Sequence, residues 1–141
     1  MNTYICLENI RSLYNIGAIF RTCSFYGFYN VILLGYSGKT HDEKGESIMH
    51  PEILKTSLGS EKDLNIIMLN NTKDLVDFAT KNSLEIISLE QTPKSQDIHL
   101  FTEGFENKIV VFGNEATGVT QELINNSKII LELPKDRKSV V

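Results

Sequence analysis

The chain has 141 residues, 41% of them hydrophobic, and carries a formal net charge of −4 at pH 7. This length suits one domain, residues 1–141, because two domains would each have a marginal core. The negative charge argues against a uniformly basic nucleic-acid coat, the two cysteines argue against a disulfide framework, and no apolar run approaches the roughly 20 residues of a membrane span.

The N-terminal segment reads MNTYICLENIRS and does not resemble a signal peptide. It lacks a basic stretch followed by an apolar stretch and a small-residue cleavage site. Together with the low cysteine content, this predicts a reducing, cytoplasmic location.

The first predicted elements are a strand and a helix. A β-type run covers residues 4–8, and the polar stretch 9–14 is expected to be a loop. Apolar residues then recur at the spacing of one helical face, namely Ile16, Ile19, Phe20 and Cys23. Asn15 is a good N-cap for this helix and Gly27 is a natural stop.

The rest of the chain continues the alternation. Residues 31–35 form an apolar run typical of a strand buried on both faces, and 36–62 are expected to be a polar loop with room for a short helix. Further strands are predicted at 66–69, 84–89, 108–112 and 128–133, with helices at about 72–81 and after Thr120. This order predicts an α/β fold with a mainly parallel sheet and helices on both faces. The loops that follow its strands then meet at one edge, where such sheets bind ligands.

A second face of the first predicted helix carries Gly17, Arg21, Ser24 and Phe28, spaced i, i+4, i+7 and i+11. Gly17 leaves bare backbone one turn before Arg21, so a phosphate or ribose could approach there and meet the guanidinium. The same spacing fits a glycine packed against a strand and a solvated surface arginine.

The segment GNEATG follows the strand at 108–112. Gly113 and Gly118 permit a tight turn at the end of the strand. Glu115 could accept hydrogen bonds from an arginine or from backbone N–H groups. The segment matches neither the dinucleotide fingerprint nor the P-loop, so a simple strand-to-helix connector fits equally well.

Other chemistry has little support in the sequence. No metal is expected, because the histidines lack HExxH spacing and a cysteine partner, and no two lie close in sequence. Those histidines are His41, His50 and His99. Cys6 and Cys23 lie on apolar faces, which predicts packed thiols instead of nucleophiles.

Two distant segments read LENIRSLYNIGAIFRTCSFYGF and IVVFGNEATGVTQELI. The first resembles motif one of the SpoU (TrmH-type) family of RNA ribose 2′-O-methyltransferases, in which Asn-x-Gly precedes an arginine four residues after the glycine. The second resembles motif two, an apolar strand running into Gly-Asn-Glu-x-x-Gly. LLGYSG, ILKTSLGSEK and ISLEQT also fit the order of that family, so the resemblance extends over residues 4–134.

The resemblance implies a trefoil-knotted SPOUT-type methyltransferase domain that binds S-adenosylmethionine. It also implies tRNA or rRNA as substrate, a homodimer, and no metal or membrane. Carried over by position, Arg21 is the implied catalytic residue, with Asn15 and Glu115 shaping its surroundings. The implied cofactor-binding residues are Leu89, Gly113, Leu133 and Ser139.

The family continues after the last strand with a glycine-containing loop, Ser-Leu-Asn and a long helix, which closes the knot and completes the cofactor pocket. Here the sequence reads LPKDRKSVV, so the third motif is shortened, with Ser139 at the place of its serine. Two outcomes are therefore expected: a methyltransferase whose knot is incomplete, or an RNA-binding or dimerisation module with impaired catalysis. A flavodoxin-like nucleotide-binding domain explains the alternation of elements, but not the two motifs together.

Overall fold

The computed structural model describes residues 2–134, and a parallel sheet forms its centre. The strands are β1 (Thr3–Glu8), β2 (Asn30–Leu34), β3 (Lys39–His41), β4 (Ser47–Met49), β5 (Asn65–Leu69), β6 (Glu85–Leu89), β7 (Gln96–Asp97), β8 (Lys108–Phe112) and β9 (Ile129–Glu132). Seven of them pair in parallel in the order β5-β2-β1-β8-β6-β9-β7. The prediction of a mainly parallel α/β sheet is confirmed.

The helices are α1 (Leu13–Tyr26), α2 (Leu54–Ser57), α3 (Thr72–Lys81) and α4 (Gln121–Asn125), with short 3-10 turns at Pro51–Ile53, Ser60–Asp63 and Ile98–Leu100. The Thr120 side chain caps α4, as predicted. In the described part of the chain, no helix is long and apolar enough to cross a bilayer.

Helices cover both faces of the sheet. Successive strand residues point to opposite sides, so a continuous apolar strand presents apolar side chains on both faces. In β2, Ile32 and Leu34 belong to the core cluster that includes residues of α3 and α4. Val31 and Leu33 belong to the cluster that includes residues of α1. A strand that buries both of its faces must be apolar throughout, which explains the continuous run from 31 to 34.

The cap of α1 differs from the prediction. Ser12 is the N-cap: its Oγ accepts a hydrogen bond of 3.0 Å from the backbone N–H of Asn15. Asn15 as N-cap is therefore wrong, because the helix begins two residues earlier, at Leu13. Gly27 ends the helix with φ +80°, as predicted.

The segment 36–62 is more ordered than the predicted polar loop. It contains the antiparallel hairpin β3–β4 as well as the short helix α2. At the hairpin turn, Oδ1 of Asp42 accepts hydrogen bonds from the backbone N–H groups of Lys44 and Glu46. The turn forms through its own polar side chain, so hydrophobic periodicity gives no sign of it.

An unusual connection joins β6 to β7. The strand β9 lies between them in the sheet, although residues 90–95 alone separate them along the chain. This short segment crosses the carboxyl end of β9, where the Ser95 hydroxyl donates to the carboxylate of Glu132 over 2.6 Å. A connection that passes across a neighbouring strand at one edge of a sheet is rare in protein topologies. The chain after Pro134 lies outside the described residues, so the trefoil knot stays a prediction.

Candidate active site

Three of the four residues implied to bind cofactor meet at one cleft. Leu89 ends β6, Gly113 follows β8 and Leu133 follows β9, and these strands are neighbours in the sheet. The cleft has a volume of about 290 Å³ and is also lined by Glu90, Gln91, Phe112, Asn114, Gly118 and Glu132. Ser139 lies outside the described residues.

The sequence did not single out the two carboxylates of this cleft, Glu90 and Glu132. Glu90 accepts a hydrogen bond of 2.8 Å from the backbone N–H of Val119, so it joins the end of β6 to the turn after β8. Their positions could have indicated a role in the site. Each glutamate lies at or just beyond the carboxyl end of a strand, where parallel sheets bind ligands.

GNEATG forms a tight turn at the end of β8. Asn114 and Gly118 exchange backbone hydrogen bonds of 3.1 and 2.9 Å, and Gly118 has φ +74°. A Cβ on Gly113 would lie 2.2 Å from the Val119 nitrogen. The turn therefore closes directly onto Gly113, and this position has no room for a side chain.

Asn114 connects this turn to two other loops. Its Nδ2 donates to the carbonyl of Asn9 over 2.8 Å and to the hydroxyl of Tyr36 over 2.9 Å. Its Oδ1 accepts from the backbone N–H groups of Ala116 and Thr117. Because both ends of the amide are bonded, the loops after β1, β2 and β8 are held together.

Glu115 lies against the N-terminal end of α1. Its carboxylate oxygens accept hydrogen bonds from the backbone N–H groups of Arg11, at 3.1 Å, and Ser12, at 3.0 Å. Burial of the carboxyl alone would raise its pKa. Three backbone N–H groups, those of Glu115, Ser12 and Arg11, donate hydrogen bonds to the carboxylate, and the Arg11 side chain adds a positive charge. Together these effects outweigh burial and lower the pKa. The sequence predicted either an arginine side chain or backbone N–H groups as hydrogen-bond donors to Glu115. The donors are backbone N–H groups.

Gly17 does not offer bare backbone to a phosphate. A Cβ there would lie 1.9 Å from Oγ1 of Thr56 and 2.6 Å from the carbonyl oxygen of Ile53. The segment that contains α2 therefore fills this space, and the predicted ribose or phosphate approach at Gly17 is wrong. The alternative of a closely packed glycine holds, although the neighbour is a helical segment and not a strand.

Arg21 lies farther down α1. Nine positions after Ser12, it lies roughly 13 Å along the helix axis from the end of α1 that binds the GNEATG turn. Arg21 is exposed, and within residues 2–134 its guanidinium has no hydrogen bond or ion pair. Asn15 is exposed in the first turn. The fold thus brings Asn15 and Glu115 to the same end of α1, and it leaves Arg21 apart from the cleft of its own chain.

The comparison with protein families agrees with this arrangement of motifs. The family model described as the SpoU rRNA Methylase family matches residues 2–139. The chain belongs to this family.

Curated relatives and solved structures are similar over more than nine-tenths of the chain. An uncharacterized tRNA/rRNA methyltransferase of Mycoplasma genitalium is 24% identical over 97% of the chain and 53% of the relative. The tRNA (guanosine(18)-2′-O)-methyltransferase of Borreliella burgdorferi is 25% identical over 91% of the chain and 54% of the relative. The AdoMet-bound rRNA methyltransferase of Sinorhizobium meliloti superposes with a TM-score of 0.79 at 22% identity, over 98% of the chain and 49% of that structure. The chain spans about half the length of the curated relatives it matches.

A first prediction for this SpoU-family chain concerns Glu115. Its folded-state pKa is depressed below the usual 4.5, so the carboxylate contributes stability above the unfolded-state pKa and loses it as the pH falls through the folded-state pKa. We expect Glu115→Gln to lower the free energy of unfolding at about pH 7, and this difference to shrink as the pH drops below 4.5. Denaturant unfolding across this range measures it, with Glu43→Gln in the exposed hairpin as control. A difference that does not change with pH would contradict the assignment.

The cysteines are packed, as predicted. Cys6 and Cys23 are buried and unpaired. Burial raises the pKa of the Cys6 thiol strongly and that of Cys23 to about 11, so both stay protonated at neutral pH. Among residues 2–134, no group of three or more histidines, cysteines and carboxylates is arranged to hold a metal ion.

A larger open depression, of about 830 Å³, adjoins the cleft and shares Gln91 with it. The 91–96 segment, α4 and β9 contribute most of its lining. None of the residues singled out in the sequence lines it. We therefore place the candidate site at the smaller cleft, where the predicted residues converge.

Proposed function

We propose that this chain is a methyltransferase that moves a methyl group from S-adenosylmethionine to a ribose 2′-hydroxyl of tRNA or rRNA. The observation that carries the proposal is the convergence of Leu89, Gly113 and Leu133 on one cleft. The relative named as a tRNA (guanosine(18)-2′-O)-methyltransferase supports the choice of reaction.

The lining of the cleft fits this cofactor. Leu133 is 61% exposed and Phe112 is 38% exposed, so the cleft offers uncovered apolar surface that suits an adenine ring. Glu90 and Glu132 add two carboxylates, which favour a ligand bearing positive charge. When bound, S-adenosylmethionine supplies an electrophilic methyl group on a cationic sulfonium sulfur. No metal is needed for that chemistry.

The proposed role of Arg21 is to bind and orient the RNA. A guanidinium stays protonated in proteins and is therefore a poor proton acceptor. It is well suited to a phosphate, through two parallel N–H donors, and to stabilising the charge that develops on the 2′-oxygen. We propose that Arg21 holds the phosphate next to the reacting ribose, and that the hydroxyl proton leaves to water or to that phosphate.

A homodimer would bring Arg21 to a cleft. Because Arg21 lies roughly 13 Å along α1 from the end that binds the GNEATG turn of its own chain, we propose that it acts at the cleft of a second copy. The large exposed apolar side chains on and beside α1 are consistent with a covered surface: Phe25, Tyr26, Leu54 and Leu58. Each active site would then combine the cleft of one chain with the arginine of the other.

Calorimetric titration with S-adenosylmethionine tests the proposal at its first step. We expect saturable binding to one site per chain, in the absence of added metal. No binding would overturn the enzyme proposal for this chain. If RNA still bound, that result would favour the alternative of an RNA-binding or dimerisation module derived from the family.

A further inference from the structure

Tyr36 is an exposed aromatic residue held rigidly at the edge of the candidate site. It follows β2 at the carboxyl edge of the sheet and is 53% exposed. Its hydroxyl accepts a hydrogen bond of 2.9 Å from Nδ2 of Asn114. Its backbone N–H donates to Oδ1 of Asn9 over 3.1 Å. The residue is fixed at its backbone and at the tip of its ring, while the ring itself remains open to solvent.

The residue after Tyr36 fixes this loop further. Ser37 is fully buried, and its hydroxyl donates to the carbonyl of Leu7 over 2.7 Å while accepting from the backbone N–H of Ile10 over 2.8 Å. These bonds tie the loop to β1 and to the segment before α1. An aromatic ring ordered in this way loses little conformational freedom when a ligand packs on it.

The surroundings of Tyr36 indicate what that ligand is. Asn114, which holds the ring, precedes Glu115, and the Glu115 carboxylate accepts from the backbone N–H of Arg11. Tyr36 therefore belongs to the same hydrogen-bonded network as the candidate active site. Arg11 is exposed and provides a cation for a phosphate on that network. An exposed flat ring and an exposed arginine that belong to the same network suit a nucleotide with an unpaired base.

We propose that the Tyr36 ring is a stacking platform for an unpaired base of the RNA substrate. This inference rests on the proposed function, because it assigns a contact to the same substrate. Every base has a π-face, so stacking on the ring tolerates any sequence. The base must be unpaired and unstacked to reach the ring. Tyr36 would then help to select loops or single strands over duplexes.

Tryptophan fluorescence tests the platform directly, because the chain contains no tryptophan. Tyr36→Trp places a single indole at the platform. Tyr29→Trp is the matched control, since Tyr29 is 52% exposed and precedes β2 at the opposite edge of the sheet. We expect a single-stranded oligoribonucleotide to quench the indole at position 36 and not at position 29. A fully paired RNA duplex should quench neither. Binding of the single strand, seen by gel shift, without quenching at position 36 would overturn the proposal.

Affinity measurements provide a second, independent test. Tyr36→Phe keeps the ring and removes the hydroxyl, whereas Tyr36→Leu keeps an apolar side chain without a π-face. We expect Tyr36→Leu to weaken binding of the single strand about tenfold and Tyr36→Phe to stay within about threefold of wild type. Both variants lack the hydroxyl that binds Asn114, so any change in S-adenosylmethionine affinity should be the same in the two. Equal losses for both variants would overturn the stacking role and assign the effect to the hydroxyl. If wild-type protein binds S-adenosylmethionine but no RNA, both this proposal and the RNA part of the proposed function fail.

Discussion

Replacing Arg21 by alanine is expected to lower the rate of methyl transfer about 100-fold or more while leaving S-adenosylmethionine affinity unchanged. The side chain is exposed and makes no hydrogen bond or ion pair within residues 2–134, so we expect its removal to cost the fold little. At the partner's cleft its proposed contact is to RNA and not to the cofactor, so we expect cofactor affinity not to depend on it. The expected loss would therefore reflect the two proposed roles of Arg21, which are to orient the RNA and to stabilise charge on the 2′-oxygen. Single-turnover methylation and calorimetric titration measure the two effects separately.

Arg21→Lys is the control for this prediction. Lysine keeps the charge and loses the two parallel donors of the guanidinium, so we expect a rate close to that of Arg21→Ala. If Arg21→Lys kept most of the activity, charge alone would suffice and the proposed bidentate grip on the phosphate would be wrong.

Mixing two inactive variants tests whether the site is shared between chains. Consider a mixed dimer of one Arg21→Ala chain and one Gly113→Ala chain. One of its two sites combines the intact cleft of the Arg21→Ala chain with the intact arginine of the Gly113→Ala chain. Co-refolding the two variants should therefore restore part of the activity. If mixed dimers form and remain inactive, Arg21 acts within its own chain.

Gly113→Ala should abolish S-adenosylmethionine binding and lower the free energy of unfolding by about 2 kcal/mol. The new Cβ would lie 2.2 Å from the Val119 nitrogen and 2.3 Å from the Gly118 carbonyl carbon. Both are backbone atoms, so no rotation of a side chain relieves the overlap. The GNEATG turn must move away from β8, which takes one wall of the cleft with it. Thermal unfolding and calorimetric titration give the two results.

Gly45→Ala is the matched control for that change. Gly45 has φ +80°, and no other atom lies within 4 Å of an added Cβ, so alanine there introduces backbone strain without overlap. We expect a smaller loss of stability and normal cofactor affinity. Equal cofactor affinity in Gly113→Ala and wild type would contradict the placement of the cofactor at this cleft.

The sequence predicted most of the elements because their signals are local. The strand Lys108–Phe112 and the helix Thr72–Lys81 appear at their predicted residues, since an apolar run and a helical spacing each depend on a few neighbours in sequence. The hairpin β3–β4 was missed, because a short polar hairpin has neither signal. Local patterns also gave no indication that β9 lies between β6 and β7.

The candidate site was predictable only in part, because its motifs are short stretches of sequence whereas its surroundings depend on distant segments. The family resemblance gave Leu89, Gly113 and Leu133, which the fold brings together at one cleft. The environment of Gly17 was misjudged, because the spacing of residues in α1 carries no information on the segment that packs against it. The bond between Asn114 and Tyr36 joins residues 78 positions apart, so a single sequence could not reveal the position in which that ring is held.

The position of the transferred methyl group tests the central claim most directly. Unmodified tRNA and rRNA are incubated with the protein and S-adenosylmethionine labelled in its methyl group, then digested to nucleosides and separated by mass. We predict label in a 2′-O-methylnucleoside. In a separate sample of the intact labelled RNA, the internucleotide bond next to that ribose should resist alkaline hydrolysis. Label in a base, or no transfer to RNA by protein that binds both the RNA and S-adenosylmethionine, would contradict it.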